Sequence, residues 1–186
     1  IPAAESRDVL NDMIEESDRL IRLVNQLLVL ARADAERSPE KEPVPLLAVV
    51  EECRKQMHAL EPKRKIEVEV ASDLNALANR DSLKQTLVIV LDNAIRHTDG
   101  KISVSAERRN QSVQIRVKDE GHGISPIEVE HIFDRFYRAE ESLKTPGFGL
   151  GLPIAKSLIN GQNGSITIES EVGKGSTVII TLPLPK

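Results

Sequence analysis

The sequence predicts an α/β fold: a two-layer sandwich, helices covering one face of a mostly antiparallel mixed sheet, preceded by a long amphipathic helix. Three observations predict it. Five short segments alternate apolar and polar residues, as strands buried on one face do. Between them, apolar residues recur at three- and four-residue steps, the helical period. Ser38-Pro39-Glu40-Lys41-Glu42-Pro43-Val44-Pro45 places three prolines in eight residues and stops any helix entering it.

Residues 5–36 form the first helix. Leu10, Ile14, Ser17, Ile21, Val24, Leu28 and Ala31 step by four and three, flanked by Met13, Leu20 and Leu27. That stripe is broader than a two-stranded seam and suits a helical bundle. The helix runs for more than about 40 Å and ends in the proline run, so its apolar face is expected to seek partners outside residues 46–186. Three units follow: a helix at 1–37, a Pro-rich linker at 38–45 and a domain at 46–186. Leu46, Val50, Cys53, Met57 and Leu60 mark a second helix, ended by Glu61-Pro62. Strands follow at Ile66-Val68-Val70, Ile102-Val104-Ala106 and Val113-Ile115-Val117, then at Ile166-Ile168 and Val178-Ile180-Leu182. Helices are expected near 80–98, 125–137 and 151–160. Ser125-Pro126-Ile127-Glu128 is a helix start, with Ser at the cap, Pro in the first turn and Glu three residues on.

Composition narrows the function. Against 29 acidic side chains stand 25 basic ones, a net charge of −4 with interspersed signs, which argues against a nucleic-acid partner. A single cysteine, Cys53, excludes an internal disulfide framework and a cysteine zinc site, and suits a reducing compartment. No apolar run exceeds five residues, as at 27–31 and 87–91, so no segment of this sequence approaches the ~20 residues of a membrane span. A soluble, cytoplasmic piece is expected; its first residue, Ile1, is not Met, so it is compatible with a longer protein. Phe133, Phe136, Tyr137 and Phe148, all four aromatics, fall within 16 residues, and the core elsewhere must be aliphatic.

Three segments carry candidate chemistry. On the helix around Asn93, Leu83, Leu87, Val88, Leu91, Ala94 and Ile95 share one face, and Ile89, Asn93, Arg96 and His97 the other. An amide oxygen suits a hard divalent cation and a guanidinium suits phosphate, although an exposed face with a chance Asn reads the same way. Asp119-Glu120-Gly121-His122-Gly123-Ile124 follows a strand, and an Asp there can accept from a ring amino group; a glycine-rich turn with a solvated Asp is the plainer alternative. His122 reads as a turn residue rather than a base. Gly147-Phe148-Gly149-Leu150-Gly151-Leu152-Pro153 enters a helix, whose free N–H groups and dipole favour an anion. Its G-x-G-x-G spacing is not that of dinucleotide folds, and Gly173-Lys174-Gly175-Ser176 lacks the ending of a P-loop.

In order and spacing, Leu91-Asp92-Asn93-Ala94-Ile95-Arg96-His97-Thr98, Asp119-Glu120-Gly121-His122-Gly123-Ile124, Phe133-Asp134-Arg135-Phe136-Tyr137-Arg138 and residues 147–152 resemble the N, first glycine, F and second glycine boxes of the sensor histidine kinases of two-component signal transduction. The likeness extends through Gly173-Lys174-Gly175-Ser176-Thr177 and Leu182-Pro183-Leu184, and covers essentially residues 46–186. Residues 18–28 resemble the second helix of that family's dimerisation domain. The resemblance implies a Bergerat-type (GHKL) ATP-binding fold and an enzyme, a protein-histidine kinase, with ATP and Mg²⁺ as cofactors. By position, Asn93 would hold Mg²⁺ between the phosphates, Arg96 and His97 would approach them, and Asn93 and Arg96 would serve catalysis. Asp119 would take the adenine amino group beside Gly121, Gly123 and Ile124, with Thr177 near the ring. The segment containing Phe133, Phe136 and Arg138 would anchor a flexible lid over residues 139–148. Gly147, Gly149, Leu150, Gly151 and Leu152 would meet the phosphates.

Two departures stand out. The residue four before Asn93, Asn in many relatives, is Ile89. The acceptor motif, a His followed by an acidic residue and then Pro, is absent around His58, His97, His122 and His131. The resemblance therefore implies an acceptor helix upstream of Ile1, a homodimer in the full-length protein, a response regulator as partner, and a cytoplasmic placement compatible with a membrane-anchored sensor. A hydrolytic ATPase of the same superfamily would need a Glu where Ile89 stands. A nucleotide-binding or dimerisation module without phosphoryl transfer is the other alternative.

Overall fold

The computed structural model describes residues 3–35, 40–139 and 147–185. Helix α1 spans Ala3–Ala35. Strand β1 (Glu42–Pro45) leads directly into α2 (Leu46–Leu60). Then come β2 (Ile66–Val70), β3 (Asn75–Ala78), α3 (Arg80–His97), β4 (Ile102–Arg109) and β5 (Ser112–Asp119). The short α4 (Pro126–Val129), α5 (Gly151–Asn160), β6 (Ser165–Glu171) and β7 (Gly175–Pro183) complete the chain.

Five strands form one sheet in the order β2-β4-β5-β7-β6. β2 runs parallel to β4 and the other neighbours are antiparallel, as the alternation predicted. Val104, Val117 and Val178 lie side by side, as do Ile115 and Ile180, and Val113 and Leu182. This apolar face packs with Leu83, Leu87 and Leu91 of α3, Val50 and Cys53 of α2, and Ala155 and Ile159 of α5. Among the described residues the buried hydrophobic side chains are aliphatic or sulfur-bearing, and the ring of Phe133 packs against them from the margin. Burial pushes the Cys53 thiol up to about 11, which keeps it neutral and unreactive. Asn79 caps α3 by accepting from the Ser82 N–H at 3.0 Å, while its own N–H donates at 2.6 Å to Oε1 of the buried Gln162.

Besides β3, a strand that the alternation did not mark, the structure departs from the sequence reading in three places. Residues 42–45 are not linker: they pair antiparallel with β3, Glu42 opposite Ala78, and bury Val44. A two-stranded pair tolerates prolines, whose missing N–H groups need not enter a central ladder. The helix expected over 125–137 is one turn, Pro126–Val129, held by a complete capping box between Ser125 and Glu128. Tighter turn bonds follow, His131 N–H to Glu128 O and Asp134 N–H to His131 O, and Phe136 adopts φ +67°. Thirdly, α1 is not wholly free of the domain. Leu30 is buried with Leu150 and Ile154, and Leu23, Val29, Phe148 and Leu158 pack around them. Val9, Leu10, Met13, Ile14, Leu20, Ile21, Val24, Leu27 and Leu28 stay exposed, so one edge of the helix docks on α5 while a broad apolar face remains outside. Among the described residues no helix is long and apolar enough to cross a membrane.

Candidate nucleotide site

A cavity of about 500 Å³ opens between α3, the end of β5, the glycine segment before α5 and the middle of α1. That volume is in the range of small-molecule sites. Asp119 ends β5 and is buried. Its Oδ1 accepts from the Gly121 N–H at 2.8 Å and more distantly from the Ser176 N–H at 3.4 Å. Oδ2 has no donor among the described residues, which leaves one acceptor for a ligand. Burial raises the Asp119 pKa, and the two N–H groups oppose that shift. Gly121 is required by close approach: a Cβ there would stand 2.3 Å from the His97 carbonyl oxygen.

Asn93, Arg96 and His97 line the cavity from α3, with Asp92 beside them. The Asp92 carboxylate accepts from Arg96 Nε at 2.7 Å, one turn apart. His122 Nδ1 donates to the Gly123 carbonyl at 2.6 Å, which leaves Nε2 to accept from His97 Nδ1 at 3.4 Å. Burial lowers the His97 pKa and the neighbouring His122 lowers it further, so His97 favours its neutral form.

Gly147, Phe148, Gly149, Leu150, Gly151 and Leu152 form the opposite wall. Gly149 sits at φ +68°, and a Cβ would come within 2.4 Å of the Tyr137 carbonyl oxygen. The Phe136 N–H donates to the Gly149 carbonyl at 3.0 Å and ties the two loops together. Helix α5 starts at Gly151 without a side-chain cap, so its first N–H groups are available to an anion. Among the described residues no cluster of three His, Cys, Asp or Glu exists. Asn93 brings to the cavity an amide oxygen, the donor type that a hard divalent cation takes.

The family model for histidine kinase-, DNA gyrase B- and HSP90-like ATPases matches residues 78–186. The chain belongs to this ATPase family. The sensor protein SrrB of Staphylococcus aureus is 36% identical over 200 residues, 98% of this chain and 32% of the relative. The chain therefore spans about a third of the length of the curated relatives it matches. Full-length ShkA in complex with AMPPNP superposes with a TM-score of 0.82 at 28% identity, over 96% of this chain and 39% of that one. The histidine kinase AdeS of Acinetobacter baumannii gives 0.74 at 25% identity, over 95% and 84% of the two chains. The nucleotide-free catalytic domain of the histidine kinase ThkA gives 0.68 at 28% identity, over 78% and 96%. Fold and family are those of a sensor histidine kinase ATP-binding domain, with a helix in front.

Within this ATPase fold, twelve of the predicted positions line the cavity: Asn93, Arg96, His97, Asp119, Gly123, Ile124, Arg138, Gly147, Gly149, Leu150, Gly151 and Leu152. Four do not. Gly121 stands behind Asp119 as its hydrogen-bond donor. Phe133 packs against the core, with the Lys156 ammonium 5.2 Å from its ring centre. Phe136 is 61% exposed rather than latched. Thr177 is displaced by its neighbour: it pairs with Lys118 on the opposite sheet face, whereas Ser176, beside Asp119, lines the cavity. Residues 140–146, the middle of the expected lid, lie outside the described residues. Ile89 is not in the wall either; it packs beneath the start of α5, where a Cβ on Gly151 would stand 3.3 Å from Ile89 Cγ2. Sequence reasoning did not single out Tyr137 and Ser176, which stand inside motifs it used, and passed over His122 as a turn residue. It also missed Arg19, Arg22 and Gln26, which enter from α1 and carry no local signal.

Proposed function

We propose that this chain is the ATP-binding catalytic portion of a sensor histidine kinase and transfers the ATP γ-phosphoryl group to a histidine outside residues 1–186. The observation that carries the reading is Asp119, buried with one unmatched oxygen in a cavity whose far wall is a glycine segment at an uncapped helix start. Asp119 Oδ2 accepts from the adenine amino group while Ser176, Gly123 and Ile124 frame the ring. The N–H groups of residues 149–152 meet the phosphates, and Arg96 and His97 approach them from α3. Asn93 would hold Mg²⁺, which when bound would neutralise charge on the phosphates. Phosphoryl transfer breaks the bond between the γ-phosphorus and the β,γ-bridging oxygen, forms a P–N bond to the acceptor imidazole, and releases ADP. Arg96 steadies the negative charge on the transferring group.

The division of labour follows: residues 1–37 belong to a dimerisation bundle whose acceptor helix lies upstream, and the remainder binds nucleotide. The outward apolar face of α1 supports a homodimer, and a response regulator is the expected phosphoryl recipient. With Ile89 packed under α5, no acid stands where a hydrolytic enzyme of this superfamily would orient water.

Calorimetric titration with ATP, with and without Mg²⁺, tests the reading. Saturable one-to-one binding is expected, strengthened by Mg²⁺ and much weaker for GTP, whose ring carbonyl would face the Asp119 carboxylate. Failure to bind ATP, or equal affinity for the two nucleotides, would overturn it.

A further inference from the structure

Arg19, Arg22 and Gln26 of α1 line the cavity and lie outside the four boxes to which the nucleotide site was assigned. They occupy the docked edge of the helix, the edge on which Leu23 and Leu30 pack against Leu150 and Ile154. Arg19 lays its guanidinium over Phe148, 5.4 Å from the ring centre, and is therefore held at the glycine segment. Its partner Glu16 is 3.5 Å away and both side chains are 57% exposed, a pairing that a stronger anion displaces readily. Arg22, one turn on, has no ion pair or hydrogen bond among the described residues. Gln26 Oε1 is buried with no hydrogen-bond partner there, and such an atom is costly unless a ligand or its hydration supplies a donor.

Two guanidinium groups at a glycine-lined, uncapped helix start are matched to a polyphosphate, because guanidinium pairs with phosphate oxygens through parallel N–H bonds. We propose that Arg19 and Arg22 bind the terminal phosphates of ATP, so that nucleotide holds α1 against α5. The inference rests on the reading of the cavity as an ATP site. Linkage makes the effect reciprocal: whatever affinity the arginines add to ATP is added equally to helix docking when ATP is present. A helix that also carries an outward apolar face would thereby report nucleotide occupancy to whatever that face binds.

The experiment compares the intact chain with Arg19→Gln, Arg22→Gln and the double variant, substitutions that keep good helix formers on α1. Affinities for ATP and, by competition, adenosine are measured, together with hydrogen exchange in α1. Loss of a charge-assisted bond predicts about tenfold weaker ATP binding for each single variant, with adenosine unaffected. ATP should slow exchange around residues 23–30 in the parent chain and fail to do so in the double variant. Unchanged ATP affinity in the variants, with the parent binding normally, would overturn the inference and leave the site reading intact. An equal loss for adenosine would also overturn it, since the helix would then serve the fold rather than the phosphates. A parent chain that binds no ATP would overturn the site reading itself.

Discussion

Burial raises the pKa of Asp119 against the two backbone N–H groups that favour its ionised form. The folded chain therefore holds the Asp119 proton more tightly than the unfolded chain does. The stability this confers is complete below the ordinary carboxylate pKa and is lost as pH rises through the raised value. At neutral pH the ionised carboxylate opposes folding and serves binding. Asp119→Asn should accordingly leave the melting temperature at pH 7 unchanged or raised, because the amide oxygen can still accept from Gly121. ATP affinity should fall about tenfold or more, since the amide N–H₂ would face the adenine N–H₂. Calorimetry and thermal unfolding check both halves, and a large loss of stability would make Asp119 a folding residue. His97 shifts the other way: its pKa is lowered, so its contribution is complete above the ordinary imidazole pKa and is lost as pH falls through the lowered value. In His97→Gln the decline of stability between pH 7 and pH 5.5 should be shallower than in the parent, as denaturant titrations at a series of pH values would record. The motifs made Asn93, Asp119 and the glycines legible because chemistry constrains their residue type. Thr177 was misplaced by one position because a strand turns successive side chains to opposite faces, and only register with Asp119 reveals that Ser176 faces inward.

The five strands of the main sheet and the helices α2, α3 and α5 were readable from period alone, since each has one face in the core and one outside. The exceptions lack that asymmetry. β1 has four residues, two of them proline, and only Val44 buried, so nothing in its pattern distinguishes it from a linker. The segment after α4 has a helical start signal but ends after one turn, because Phe136 takes a left-handed conformation and binds across to Gly149. In α1 the apolar stripe was evident, whereas the docked edge mixes Leu23 and Leu30 with Arg19, Arg22 and Gln26 and gives no periodic signature. Leu30 is the buried residue of that contact. Leu30→Ala should cost about 2 kcal/mol of helix docking, visible as faster hydrogen exchange in α1 and α5. The sheet and α2, whose core residues belong to a separate cluster from Leu30, should exchange as before. Uniform acceleration throughout would mean that α1 and the domain fold as a single cooperative unit.

At the scale of the whole molecule, a half-covered sheet and three helices build a nucleotide cavity whose walls come from widely separated stretches of chain, and α1 closes one side of it. The same helix presents an outward apolar face from Val9 to Leu28 that the domain leaves exposed. None of the four histidines is placed to accept a phosphoryl group in the manner of the family. His58 is on the exposed side of α2, His97 and His122 bond to each other in the cavity wall, and His131 pairs with Asp134 at 2.9 Å. The chain should therefore bind ATP yet remain unlabelled by it, and should transfer the γ-phosphoryl group when an acceptor helix is supplied. Docking of that helix on the outward face of α1 would turn a bimolecular encounter into a positioned one, the change that most raises such rates. Incubation with Mg²⁺ and γ-labelled ATP, alone and with a matching acceptor-helix fragment, followed by a test for acid-labile label, decides it. Label on the fragment supports the kinase reading, and label on this chain alone would mean that one of its own histidines is the acceptor. Absence of label from both, with nucleotide bound, would instead favour a binding or dimerisation role and direct attention to Ile89, the residue that replaces a polar group one turn before Asn93.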